Sequence, residues 1–339
     1  MTVSVKGEII MYYVGIDISK RFIDVCLLVD GIKGKRKTKV LPNGTSSTES
    51  LAQWLALQKC EPVQAHIIIE STGIYHEHLA YGLHQAGILV SVINPHRIRE
   101  FAKGMGILTK TDKVDAYVLA CYGCLKQPDS WAPPSEAVRK LKALLQHRDN
   151  LLNDKQRIEN RLNTLKSTRP PEEILGSLES IEQNLKDELA RIERLIAEHI
   201  DKHPGLKNDL TLLKSISGIG EQIGWNMLAI IRSNNFRSAE QVASYLGVIP
   251  VERRSGSSVR GRARLSKIGP PGIRAKLYMG AIAAISHNHH VKAQYERLLL
   301  KGKSKMLAIG AAMRKLVHLC YGVLHTQQPY DKNYGIVTH

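Results

Sequence analysis

Apolar positions change their spacing twice along the chain, and each change predicts a different kind of structure. From Met11 to Lys20 and from Phe22 to Val29, β-branched and aromatic residues dominate two short runs, the composition of strands. The turn signal Asp30-Gly31 leads to a third, basic strand at about Lys33 to Leu41, so these segments predict an antiparallel meander. A helix is expected over about Ser47 to Leu57. A buried strand, His66 to Ile69, then ends at Glu70, just before Ser71-Thr72-Gly73. A further helix leads to a strand over Ile88 to Ile93, closed by Asn94-Pro95. With a last helix beyond it, the order is β-β-β-α-β-α-β-α, an α/β arrangement.

From about Glu136 to Lys202 the period becomes helical. Leu141, Leu144, Leu145, Leu151, Leu152, Ile158, Leu162 and Leu165 recur at heptad-like spacing, and Pro170-Pro171 breaks the run. The pattern resumes from Ile174 to Ile196, so two long helices forming a hairpin or a coiled coil are expected. The stripe is too apolar to face solvent, which predicts packing on the partner helix or on another subunit of a homo-oligomer. After His203-Pro204-Gly205 the pattern is mostly helical. The run Gly218-Ile219-Gly220 joins two of these helices. It is similar to a helix-hairpin-helix, in which glycines let backbone N–H groups approach a DNA phosphate. A plain helical corner, with Gly218 and Gly220 as turn residues, fits equally well.

Composition narrows the setting. At 339 residues the chain can build two or three cores, and at 43% hydrophobic content with no apolar run of membrane-spanning length it is expected to be soluble. Met1–Ile10 lacks a signal-peptide core and reads as a dispensable extension ahead of Met11. Five scattered cysteines suit a reducing cytoplasm. The pair Cys121 and Cys124 is expected to pack on one helix face, and His287-Asn288-His289-His290 to form a polar turn.

The net charge of +17 is not spread evenly. Residues 251–320 carry 15 basic and 2 acidic side chains, whereas residues 1–135 carry 15 and 12, and residues 136–250 carry 17 and 16. A block this concentrated reads as a phosphate-binding surface.

Two features carry candidate chemistry. Asp112 and Asp115 are three apart, so a helix projects them from one face, where a hard divalent cation between them would relieve their repulsion. The competing reading makes Asp112 an N-cap with Asp115 bonding back from the third helical position. Asp17 lies inside the first strand and Glu70 at the end of the fourth; the element order resembles the ribonuclease-H-like fold, and that resemblance implies that these two and the aspartate pair form a set of four acids converging on Mg²⁺ (or Mn²⁺). The second feature is the run Arg253-Arg254-Ser255-Gly256-Ser257-Ser258-Val259-Arg260-Gly261-Arg262-Ala263-Arg264-Leu265-Ser266-Lys267. It reads either as a solvated linker with phosphate-binding arginines or as a loop presenting a nucleophilic serine.

The element order and the acids resemble the ribonuclease-H-like fold in its RuvC-like branch. Over nearly the whole chain from Met11, the sequence resembles the DEDD transposases of bacterial insertion sequences, the bridge-RNA-guided serine recombinases. The matching runs are Val14-Gly15-Ile16-Asp17, Glu70-Ser71-Thr72-Gly73-Ile74-Tyr75, Val92-Ile93-Asn94-Pro95 and Lys110-Thr111-Asp112-Lys113-Val114-Asp115-Ala116. Gly218-Ile219-Gly220, Ser255-Gly256-Ser257-Ser258-Val259-Arg260-Gly261 and Met313-Arg314-Lys315-Leu316 complete them.

The resemblance implies a RuvC-like domain over residues 11–135, a coiled-coil hairpin over 136–202, and a transposase domain over 203–330 with a tail over 331–339. It implies Mg²⁺-dependent DNA strand exchange through a covalent phosphoserine, with Ser255 as nucleophile by motif position. Spacing alone leaves Ser257 and Ser258 open. It further implies donor and target DNA, a structured guide (bridge) RNA, and tetramers of paired dimers whose active sites combine acids of one subunit with the serine of another. No membrane is implied, and the location is the cytoplasm of a bacterium or archaeon. The expected nucleic-acid-binding residues are Arg253, Arg254, Arg260, Arg262, Arg264, Lys267, Arg274, Lys276, Gly218 and Gly220. Pro270-Pro271 interrupts the basic stretch and is expected to alter how Arg274 and Lys276 meet nucleic acid. Rival readings are a RuvC-like nuclease or junction resolvase with no covalent step, a non-catalytic nucleic-acid scaffold, and an actin-like or sugar-kinase fold. The last lacks its Gly/Thr-rich phosphate loop after Asp17.

Overall fold

The computed structural model describes residues 11–71, 75–168, 170–251 and 264–334, with the backbone alone for 254–255 and 259–260. The proposed extension, Met1–Ile10, lies outside the described residues. The chain divides into two compact units at Pro133 and Pro134.

The first unit is built on a five-stranded mixed sheet. Strands β1 (Tyr12–Ile18), β2 (Phe22–Leu28) and β3 (Arg36–Pro42) form the expected meander; β4 (Ala65–Glu70) and β5 (Leu89–Ile93) run parallel to β1. The spatial order β3-β2-β1-β4-β5 leaves β3 at one edge. Helices α1 (Ser47–Leu57) and α2 (Glu77–Gln85) connect the strands. This sheet is consistent with a ribonuclease-H-like fold.

Strand alternation decides which face each helix covers. Val14, Ile16, Ile18, Ile23, Val25 and Leu27 share a core with Leu51, Leu55, Leu79 and Leu83 of α1 and α2. Gly15, Cys26 and Ile68 belong to the opposite face, which carries α4 (Asp112–Lys126). A side chain at Gly15 would meet the Ala116 carbonyl at 2.0 Å and the Ala120 nitrogen at 2.3 Å, so only glycine lets α4 lie this close to β1. Cys121 packs in this layer beside Cys26, as the C-x-x-C reading expected, and all five cysteines are free.

The sequence order placed one helix after β5; the structure has two. Asn94 caps α3 (Pro95–Gly104) by accepting from the His96 N–H at 2.8 Å, and Pro95 takes the first helical position, where no N–H is needed. The positive φ of Gly106 then helps the chain to turn before α4 begins.

In the second unit, α5 (Glu136–Lys166) and α6 (Glu172–Asp201) form the expected hairpin. Its base shares one core with α7 (Pro204–Lys214), α8 (Glu221–Arg232), α9 (Ala239–Tyr245), α10 (Pro271–His287), α11 (His289–Leu300) and α12 (Lys305–Thr326). Buried Arg148 of α5 pairs with Glu193 of α6 at 2.6 Å. Towards the tip, Ile174 and Ile181 are exposed, so part of the stripe that was expected to be covered faces solvent within the single chain.

Two further readings are corrected. Helix α12 is long and apolar enough to cross a membrane by length and composition, although no such run was expected. Leu316, Val317 and Cys320 are fully buried in the second unit's core, and Arg314 and Lys315 interrupt the apolar run, which accounts for its composition without a bilayer. Pro270 and Pro271 do not interrupt a helix. Pro270 is the N-cap of α10 and Pro271 its first residue, positions that tolerate proline. The segment from His287 to His290 is a polar turn, with buried Asn288 capping α11.

Candidate active site

Register gathers the acids. Asp17 follows Ile16 near the end of β1, and Glu70 follows Ile69 at the end of β4; Ile16 and Ile69 are direct partners. Asp17 and Glu70 therefore leave adjacent parallel strands on the same face, the one covered by α4. Helix α4 points its first turn, with Asp112 and Asp115, at this end of the sheet.

The helix start corrects the capping reading. Thr111, not Asp112, is the N-cap: its Oγ1 accepts from the Val114 N–H at 3.3 Å, and its carbonyl accepts from the Asp115 N–H at 2.8 Å. A threonine in extended conformation already satisfies that end, so Asp112 is the first helical residue and neither aspartate is needed as a cap. Asp112 is exposed and Asp115 half-buried.

The electrostatics show how closely the four acids feel one another. Burial, followed by the carboxylates of Asp115, Asp112 and Glu70, pushes Asp17 up to about 6. Burial raises Glu70 as well, with Asp115 adding to it, while Arg99 and Lys110 act against it. Asp115 is raised by burial, opposed chiefly by Lys110, with Asp112 adding to the rise. An all-oxygen donor set under mutual repulsion is the chemistry a hard divalent cation relieves, so these residues fit such an ion. Among the described residues no three His, Cys, Asp or Glu side chains stand close enough to hold a metal as placed.

The serine loop lies in the second unit. Strands β6 (Pro250–Val251) and β9 (Arg264–Leu265) pair antiparallel, and inside them β7 (Arg254–Ser255) pairs with β8 (Val259–Arg260), Ser255 opposite Val259. Ser255 is the last paired residue of β7, and Val259 the first of β8. Arg253, Gly256, Ser257, Ser258 and Arg262 lie outside the described residues, and for Arg254, Ser255 and Arg260 only the backbone is described. Arg264 and Lys267 are exposed.

Of the other expected nucleic-acid contacts, Arg274 and Lys276 have internal partners. The Arg274 guanidinium donates to the Gly269 carbonyl at 2.6 Å, and Lys276 pairs with Asp149 of α5 at 2.9 Å. Gly218 has φ +101°, and a Cβ there would meet the Ala284 Cβ at 2.6 Å, so it packs against α10. Gly220 is the N-cap of α8, and open space surrounds its Cβ position.

Comparison with known proteins settles the family. A profile described as "Transposase", for the IS110-type DEDD proteins, matches residues 14–170. A second, described as "Transposase IS116/IS110/IS902 family", matches residues 210–296. The chain is 32% identical to a pilin gene-inverting protein of Moraxella bovis over 325 residues, 94% of this chain and 98% of that one. It is 31% identical to the pilin gene-inverting protein of Moraxella lacunata over the same coverage. The chain belongs to the IS110 family of transposases.

This IS110-family transposase is therefore a DNA-recombining enzyme, and the first profile spans all four acids while the second spans Ser255. Sequence reasoning missed part of the charge around the acids. Asp24 of β2 is directly opposite Asp17; burial raises it and Asp112 adds to that, whereas Lys113 opposes it. Arg99 of α3 and Lys110 supply positive charge near Glu70 and Asp115. Lys110 and Lys113 flank the aspartates in sequence and were available as a signal. Arg99 and Asp24 become neighbours only through the fold.

Proposed function

We propose that this IS110-family transposase exchanges DNA strands through a covalent phosphoserine formed by Ser255, in a reaction that needs the acids Asp17, Glu70, Asp112 and Asp115. The observation that carries the reading is the mutual electrostatic coupling of these four carboxylates at one end of a sheet of ribonuclease-H-like order. The four would hold Mg²⁺ or Mn²⁺, which when bound supplies positive charge to a phosphodiester under attack. The serine Oγ forms a bond to phosphorus while the bond from phosphorus to the deoxyribose oxygen breaks. The serine's proton ends on the released hydroxyl. The phosphoserine keeps the energy of the broken linkage, so a hydroxyl from the exchanged strand can reverse the step without ATP. Exposed Arg264 and Lys267 flank the loop and suit phosphate contact, with Arg253, Arg254, Arg260 and Arg262 in the same run.

On this reading the partners are donor and target DNA in a bacterial or archaeal cytoplasm. A structured guide RNA chooses the sequences, and the active form is a homo-oligomer, a tetramer. The domains take the boundaries expected from sequence: RuvC-like over 11–135, coiled coil over 136–202, transposase domain over 203–330. Ser255 is the nucleophile by motif position, with Ser257 and Ser258 as the neighbouring alternatives.

The test is recombination between donor and target plasmids, with RNA from the element's flanks and Mg²⁺. Ser255→Ala and Asp115→Asn should each abolish joint products. A Ser255→Ala protein that still cleaves DNA would favour the nuclease reading instead.

A further inference from the structure

The serine loop leaves the helices of the second unit through β6 and returns through β9, strands of two residues each. Pairing this short is marginal in water unless something else holds it. Support comes at the base, where the chain enters after α9 and leaves towards α10. The Ser266 N–H donates to the Ile249 carbonyl at 2.9 Å, and the Lys267 N–H to the Gly247 carbonyl at 3.2 Å. Ile249 and Leu265 pack against the core.

Two glycines then let the entering and leaving backbones touch. A Cβ at Gly247 would meet the Ile268 carbonyl oxygen at 2.3 Å, and one at Gly269 would meet the Tyr245 carbonyl oxygen at 2.0 Å. Gly247 has φ +69° and Gly269 φ +114°, while Lys267 has φ +56°. The left-handed region is uncommon for a residue with a side chain, and it persists where the surroundings over-determine it.

Arg274 crosses this junction. Its Nη1 donates to the Gly269 carbonyl at 2.6 Å and lies 3.4 Å from the Pro270 oxygen and 3.5 Å from the Leu246 oxygen. One nitrogen thus reaches both the entering and the leaving backbone. Arg274 is in the first turn of α10, where a cation opposes the helix dipole. Prolines at the N-cap and first position already suit that helix start, so the arginine is not needed for it. Helix α10 is itself anchored. Ile273, Leu277 and Ala281 are buried in the core, and Lys276 pairs with Asp149 of α5 at 2.9 Å.

We propose that Arg274 is a positioning residue: by tying the Leu246 and Gly269 carbonyls to anchored α10, it locks the base of the serine loop and so fixes how the loop presents its hydroxyl. The part about the hydroxyl rests on the proposed function; the lock at the base does not. Phosphate contact is the competing role for this guanidinium.

The test reads the lock and the reaction separately, in the full chain. By amide hydrogen exchange, Arg274→Gln should speed exchange at Ser266 and Lys267 about tenfold, while the melting temperature and exchange in α12 stay at wild type. In single-turnover strand exchange with element-end DNA, flank RNA and Mg²⁺, Arg274→Gln should slow joint-product formation about tenfold to a hundredfold. Arg274→Lys should restore part of both, and it keeps the test open if the glutamine variant folds poorly. DNA affinity should keep its wild-type dependence on salt. A slope of log affinity against log salt shallower by about 1 would make Arg274 a phosphate contact and overturn the inference. Unchanged exchange at the loop base overturns it too, as does faster exchange with unaltered product formation. Exchange that rises throughout the second unit would assign Arg274 a general role in stability, against the proposal. Wild-type product formed without a serine–DNA link would remove the nucleophile assignment, while exchange at Ser266 and Lys267 still decides the lock.

Discussion

Asp17 and Asp24 occupy directly opposed positions in the β1–β2 ladder, two carboxylates in one antiparallel pair. Like charges so placed are destabilising unless something compensates them. Asp112 lies close enough to raise both. This end of the sheet is thus built at the expense of stability, the usual mark of a site kept for chemistry.

The cost should depend on pH in a specific direction. Burial and three neighbouring carboxylates hold Asp17 at about 6, above the ordinary 3.8. The folded state therefore holds the proton more tightly, and the stability this gives is present below about pH 4 and lost as pH rises through about 6. Without divalent cation, Asp17→Asn should match wild type near pH 4 and exceed it above pH 6, by about 1 kcal/mol after screening of a half-exposed group. Thermal melts across that range would show the gap opening; a constant gap would mean that Asp17 titrates normally.

Divalent cation should act on the same repulsion. Mg²⁺ or Mn²⁺ should raise the melting temperature of wild type in a concentration-dependent way, as any ligand of the native state does. Asp115→Asn should weaken the response, and Asp17→Asn/Asp115→Asn should abolish it. An equal rise in the double variant would place the ion elsewhere.

Close approach of α4 to β1 should be essential to this geometry. Gly15→Ala sets a Cβ against backbone atoms of α4, which cannot move as a side chain can. A loss of about 3 kcal/mol is expected in denaturant unfolding, from overpacking. Wild-type stability would show that α4 shifts freely over the sheet.

The Thr111 cap gives a milder test. Thr111→Val removes the acceptor for the Val114 N–H and should lower stability by about 1 kcal/mol while the fold persists. Thr111→Ser should restore most of the loss. Failure of serine to rescue would show that the threonine methyl, not its hydroxyl, matters.

Much of this was legible in the sequence because local rules governed it. The meander, the α1 boundaries and the helical hairpin followed from residue spacing, and Asp17 stood out as a charge inside an apolar strand. The cap of α4 stayed open because threonine and aspartate compete for one role, and only backbone conformation decides between them. Pro270-Pro271 looked like an interruption because its place relative to the start of α10 was not visible. Arg274 and Lys276 looked like free cations, since their partners at Gly269 and Asp149 are supplied by folding. Asp24 was passed over because its significance comes from strand register, which is a tertiary property.

The central claim is a serine bonded to DNA, and it can be read directly. Wild-type protein, element-end DNA, flank RNA and Mg²⁺ are incubated and quenched in denaturant, and the DNA-linked peptide is mapped by mass spectrometry. A phosphoserine at Ser255, absent from Asp115→Asn, is the expected result. Recombinant product accumulating from a protein that carries no DNA-linked residue at any stage of the reaction would contradict it.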